Sequence, residues 1–221
     1  MTSHRPAMSH FVRFILAAGF LLLLTCGRTS ASFADEGRIP GFSDDIIGPV
    51  QITASPDTVF DMAVCGKSRQ IIYITGEEKP TAIWLAPIDP ADAAVPRRLV
   101  AGNSEKTSPA LSPDGRYAAF LGTDYDVKGD IFLVDLDADA PRPIRLTGRD
   151  TEDGGPCFSA DSRGLYFHQS GPDRTRRLVM MNPAAPDRSP EPVETGGDAM
   201  FCAVSPSGDQ LAFISFRNDP S

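Results

Sequence analysis

Ser108-Pro109-Ala110-Leu111-Ser112-Pro113-Asp114-Gly115-Arg116, followed by Tyr117-Ala118-Ala119-Phe120, reads as an apolar run, a tight turn and a second apolar run. Proline presets φ at an early turn position, Asp accepts a local backbone bond, and Gly tolerates positive φ. The stretch returns as Gly155-Pro-Cys-Phe-Ser-Ala-Asp-Ser-Arg163 and as Phe201-Cys-Ala-Val-Ser-Pro-Ser-Gly208. A fainter copy is Met62-Ala-Val-Cys-Gly-Lys-Ser-Arg69. With Cys65, Ser112, Ser159 and Ser205 as anchors, the intervals are 47, 47 and 46 residues. Eight residues past each anchor stands an aromatic: Tyr73, Phe120, Phe167 and Phe213. Six past it stands Ile71, Ala118, Leu165 or Leu211. Further on come Ile83-Trp84-Leu85, Ile131-Phe132-Leu133 and Leu178-Val179-Met180. Short alternating stretches precede the next anchors: Val50–Thr53, Arg98–Val100, Ile144–Thr147 and Val193–Thr195.

These runs are four to six residues long, rich in β-branched and aromatic residues, and cut by Pro, Asp and Gly. That pattern predicts strands, and no segment past residue 34 sustains helical periodicity over ten residues. Each repeat is therefore expected to be four antiparallel strands, here a to d. Tandem four-stranded units of about 40–50 residues are β-propeller blades. A single blade cannot bury both faces, so stacking is what hides the aromatic and aliphatic rows. The expected fold is all-β, with about three and a half to four blades near residues 60–100, 107–147, 155–195 and 200–215, the last incomplete. Val50–Thr53 is a spare d-like strand, but no c strand remains to join it to the last blade, so an open arc is expected. Open faces and edges favour self-association or a covering partner.

The chain of 221 residues is 41% apolar and 23% charged, which is globular rather than disordered. Its net charge of −8 argues against nucleic-acid binding. Arg5 and Arg13 precede an apolar run, Phe14–Leu24, shorter than the roughly 20 residues of a membrane span. Ser32 and Ala34 fit the −3 and −1 positions of a cut before Asp35, so residues 1–34 read as a secretory signal. The alternatives are an uncleaved anchor and lipidation of Cys26 in Leu23-Leu24-Thr25-Cys26, which would tie the protein to a membrane surface. Loss of residues 1–34 leaves a charge of −11 and His168 as the sole histidine. Residues 35–49 read as a linker and 50–221 as the repeats.

The pattern Pro109-x-x-Ser112-Pro113-Asp114-Gly115-Arg116, with Ala119-Phe120 and Asp130-Ile131-Phe132-Leu133-Val134-Asp135 after it, resembles the TolB-like WD-repeat family. Arg145-Leu146-Thr147 ahead of the next blade fits the same pattern, and the resemblance spans residues 50–215. It implies a propeller, a periplasmic or secreted location and a bias toward binding proteins, including envelope proteins or lipoproteins. TolB itself adds a small α/β domain, for which residues 35–49 leave no room. Prolyl-oligopeptidase-type peptidases join a propeller to an α/β-hydrolase domain, but the chain has no Gly-x-Ser-x-Gly elbow. The expectation is thus a non-enzymatic interaction scaffold. The alternatives are a peptidase propeller without its catalytic domain and a propeller that binds a small ligand or sugar.

No catalytic, cofactor or metal residue is expected. His168 follows Phe167 on a b strand and, by alternation, points away from it, as a satisfied structural histidine would. Cys65, Cys157 and Cys202 all fall on a strands. Export permits a disulfide. However, Cys157 and Cys202 stand two and three residues before their anchors, which by strict alternation places them on opposite faces. Small buried thiols are expected. Asp124-x-Asp126-x-Lys128-Gly129-Asp130 opens like a calcium loop, but Lys128 replaces an oxygen ligand and no Glu closes it. Asp135-x-Asp137-x-Asp139 also alternates, and both stretches read as solvated turns.

Overall fold

The computed structural model describes residues 58–76, 81–89, 95–148, 151–171 and 175–215. The expected export segment, Cys26, the 35–49 linker and the Val50–Thr53 strand lie outside the described residues. Every regular element among the described residues is a strand. β1 (Val59–Cys65), β2 (Gln70–Thr75), β3 (Ala82–Pro87) and β4 (Arg97–Ala101) pair in order as one antiparallel sheet. β5 (Lys106–Leu111), β6 (Tyr117–Gly122), β7 (Asp130–Asp135) and β8 (Ile144–Arg145) form the second. β9 (Glu152–Phe158), β10 (Leu165–Ser170), β11 (Arg176–Met181) and β12 (Glu191–Pro192) form the third. β13 (Ala199–Val204) and β14 (Leu211–Ser215) make a two-stranded fourth. The fourth strand of the third sheet lies two residues ahead of the expected Val193–Thr195 stretch, whose first amide still bonds to the Leu178 carbonyl.

The sheets stack face to face in chain order. Ile72, Ile74, Ile83 and Leu85 of the first sheet bury against Ala118, Phe120, Phe132 and Val134 of the second. Ala119, Ile131 and Leu133 on the other face of the second bury against Leu165, Phe167, Val179 and Met181 of the third. The period of two lets each strand serve both interfaces, so central strands read as nearly continuous apolar runs. Phe120 and Phe167 of the repeated aromatic row face the preceding sheet, and Tyr73 takes the same position on the outer face of the first. Tyr73, Phe120 and Phe167 are no more than 2% exposed. Phe213 is only half-buried, because among the described residues its sheet has two strands and no third to close over it. The first strands of successive sheets, β1, β5, β9 and β13, also pack side by side. No comparable packing joins the fourth sheet to the first among the described residues, so the sheets form an open arc.

The turn chemistry is as its residues dictate. The Gly115 amide donates to the Ser112 carbonyl, and Gly115 has φ of 80°. The Ser112 hydroxyl accepts the Tyr117 amide at 2.8 Å and donates to Asp114 Oδ1 at 2.6 Å. Ser159 with Asp161, and Ser205 with Asp209, repeat the device. Ser162 takes the glycine position with φ of 64°, and its hydroxyl accepts the Asp114 amide of the preceding sheet. Ser112 is fully buried. Ser112→Ala would leave the Tyr117 amide without an acceptor and is expected to cost about 1–3 kcal/mol in a urea melt. Ser205→Ala, at a half-buried copy of the same site, should cost less.

The first strand of every sheet carries a bulge. Register shifts occur between Val59 and Asp61, between Thr107 and Ala110, opposite Tyr166–His168, and between Met200 and Cys202. Ser108, Gly155 and Phe201, at equivalent positions, have φ of 52°, 58° and 49°. The stacking of the sheets, not the bulge, corrects the expectation for the cysteines. Cys157 pairs with Tyr166, on the face the third sheet turns to the fourth, and Cys202 pairs with Phe213, on the opposite face of the fourth, so the two meet between the stacked sheets and form a disulfide with a Cα separation of 6.0 Å. Cys65 is a buried free thiol, as expected.

Candidate functional site

Alternation of strand direction puts the a–b turns at one end of the sheets and the b–c and d–a loops at the other. The Ser112–Gly115 end is occupied with its own bonds. Burial pushes the Asp114 carboxyl up, but the Ser112 hydroxyl and the Arg116 amide outweigh it and hold the group below its usual range. Asp135 pairs with Arg116 at 3.0 Å, and its Oδ1 accepts the Asp137 amide, so this alternating stretch is a turn fastened to a neighbouring strand.

The opposite end is built differently. Lys106 begins β5 and is completely buried. Its Nζ donates to the Ser104 carbonyl and hydroxyl, and Asp124 Oδ1 stands 4.0 Å away. Burial lowers the ammonium's pKa, and Asp124 opposes that shift. The Glu105 amide also donates to the Thr123 hydroxyl. Together these bonds fasten the β6–β7 turn to the β4–β5 loop. Asp126 caps the turn through the Lys128 amide, and Gly129, with φ of 87°, closes it over Leu121. The anchored turn presents Tyr125 and Val127, which are 71% and 93% exposed. Phe132 stacks behind Tyr125 at 6.2 Å, and the Arg145 guanidinium lies 4.8 Å over the ring. Arg145 is held in turn by buried Asp130 at 2.9 Å. An exposed tyrosine backed by an arginine is the composition of a protein-contact anchor. The Asp124–Asp130 stretch thus uses its carboxylates on Lys106, on a backbone amide and on Arg145.

At the repeat position of Lys106, the third sheet has Asp153, which is 2% exposed. Burial raises its pKa against hydrogen bonds from Thr147, Thr151 and Gln169, while the Asp130 charge raises it further. The same position holds Val59 in the first sheet and Ala199 in the fourth. Sequence reasoning passed over Lys106 and Asp153. The available signal was this mixture of residue types at one repeat position.

His168 departs in one respect from the satisfied histidine expected of it. It is 5% exposed and faces away from Phe167, but its Nδ1 has no hydrogen-bond partner among the described residues. The ring sits against Gly154, where a Cβ would approach Cε1 to 2.8 Å, and meets Phe201 edge-on at 5.3 Å. Burial lowers its pKa to about 4, with Arg176 adding to the shift and Asp198 opposing it. The ring is thus enclosed, and among the described residues no nucleophile or carboxylate bonds to its Nδ1.

No family model matches the chain. An uncharacterized protein of Agrobacterium fabrum is 31% identical over 141 residues, which are 63% of this chain and 44% of the relative. A structure assigned as TolB from Agrobacterium tumefaciens superposes with a TM-score of 0.61 at 24% identity, covering 78% of this chain and 60% of the other. TolB from Acinetobacter baumannii gives 0.57 at 20% identity, covering 75% and 39%. A puromycin-hydrolyzing peptidase of Mycobacterium tuberculosis gives 0.52 at 18% identity, covering 70% and 27%. The chain thus spans less than half of the curated relative and about three fifths of the first of these structures. The repeat spacing, the stacked four-stranded sheets and these superpositions together give the chain the fold of the TolB-like β-propellers.

Proposed function

We propose that the protein is an exported, non-enzymatic interaction scaffold whose contact surface lies at the b–c end of its blades. The observation that carries this reading is the anchored β6–β7 turn, which holds Tyr125 and Val127 out in solvent on a framework of buried ionic contacts. The expected signal at residues 1–34 and the TolB-like fold support a periplasmic setting and a protein partner. The enclosed His168 supports a role other than acyl transfer. The peptidase among the similar structures favours the second reading, a propeller that serves a hydrolase.

Two measurements test the proposal. Mass spectrometry of the envelope fraction should show a mature N-terminus near Asp35 without acyl mass; a lipidated Cys26 would overturn release from the membrane. A photocrosslinker placed at Tyr125 should join the chain to an envelope protein, and one at exposed Arg163 on the opposite end should not. Capture of an α/β-hydrolase at Tyr125 would instead establish the peptidase reading.

A further inference from the structure

The interface between the third and fourth sheets is unlike the other two. The face that each sheet turns to its successor carries Ile72 and Ile74 in the first and Ala119 and Leu121 in the second. At the equivalent positions β10 carries Tyr166 and His168, with Ser170 beyond. Among the described residues, His168 Nδ1 and the Ser170 hydroxyl are both buried there without a hydrogen-bond partner. Such groups oppose the burial that covers them. Among the described residues, no member of an apolar cluster belongs to β13 or β14. Little ties the hairpin down: buried Ala199, the Arg176 amide on Asp198, the edge contact of Phe201 with His168, and the approach of Gly208 to Ala160. To these the Cys157–Cys202 bond adds a covalent link across 45 residues of chain. Both cysteines are half-buried and not sealed in a core.

We propose that this disulfide is a redox latch, whose reduction releases β13–β14 from the third sheet while the three four-stranded sheets stay folded. The proposal does not depend on the scaffold reading. A dithiol supplies the electrons. Its first thiolate attacks one cystine sulfur and forms a mixed disulfide, and the other cysteine leaves as a thiolate and takes up a proton. The second thiol then closes the reductant's own disulfide and frees the remaining cysteine. Two electrons pass to the protein, and Cys157 and Cys202 end as thiols. Once the crosslink is gone, the hairpin's docking must withstand the chain entropy that the bond had removed. Release hydrates His168 and Ser170, which favours the open form, and uncovers one face of the third sheet.

The test uses the full mature chain purified under oxidising conditions. A maleimide tag on the folded protein should mark neither Cys157 nor Cys202 before dithiothreitol and both after it. In hydrogen exchange followed by mass spectrometry, peptides over 199–215 should exchange about a hundredfold faster after reduction. Peptides over β2, β6 and β7 should keep their protection. The double variant Cys157→Ser/Cys202→Ser, without reductant, should reproduce the reduced pattern. Unchanged exchange at 199–215 would overturn the latch, since packing alone would then hold the hairpin. So would loss of protection in every sheet, which would make the bond a global staple, or tagging before reduction.

Discussion

Phe167→Ala is expected to lower the unfolding free energy by about 3–5 kcal/mol. Phe167 is fully buried between the second and third sheets, among Ala119, Ile131, Leu133 and Val179. Truncation removes the transfer free energy of the ring and leaves a cavity between two β-sheets. Neither sheet can move in without breaking its own ladder, so little of that volume should be recovered. Phe213→Ala removes the same atoms at the same repeat position. Phe213 is half-buried, and its cost should be no more than about 1–2 kcal/mol, because much of the ring already meets water. Urea melts of the two variants against the parent chain provide the measurement. Equal losses would mean that repeat position, not burial between sheets, sets the contribution, and the stacked arrangement would be wrong.

The fold was legible because its signals are local and repeated. Ser112-Pro113-Asp114-Gly115 names its turn residue by residue, and recurrence near every 47 residues turns four weak strand patterns into one blade. The aromatic row was legible for the same reason, down to Phe167 turning opposite to His168. Finer placements failed where the answer lies between sheets and loops and not within one strand. Cys157 and Cys202 do stand on opposite faces of their sheets, but in a stack the face one sheet turns to its successor meets the opposite face of that successor, so the stagger brings the two together. Lys106 was hidden for a different reason. A lysine at the start of a strand reads as solvated, and only the loops folded over its Nζ make it a buried anchor. Those loops come from sequence-distant segments, and their meeting is a tertiary fact that no local window contains.

Acid should destabilise the third-to-fourth sheet interface through His168. Its folded pKa is lowered to about 4 from 6.5, chiefly by burial. The unfolded chain therefore takes up a proton as pH falls below 6.5, while the folded chain resists until about 4. The stability present above 6.5 is lost across that window, in total about 3 kcal/mol. Arg176 adds to the resistance, and Asp198 partly compensates a charged ring. Asp61 and Asp153 act in the opposite sense: burial raises both, so the folded chain binds their protons first and gains stability as pH falls toward 3.8. The raw pH profile mixes these contributions. The difference between the parent chain and His168→Leu separates them, because the carboxylates are common to both. Leucine suits the site, since Ile74 and Leu121 occupy the equivalent positions. It also removes the unpartnered Nδ1, so the variant should be at least as stable as the parent at pH 7. Between pH 7 and pH 4 the parent should fall behind it by about 3 kcal/mol in urea melts. Parallel profiles would show that His168 titrates normally and is open to water in the folded protein.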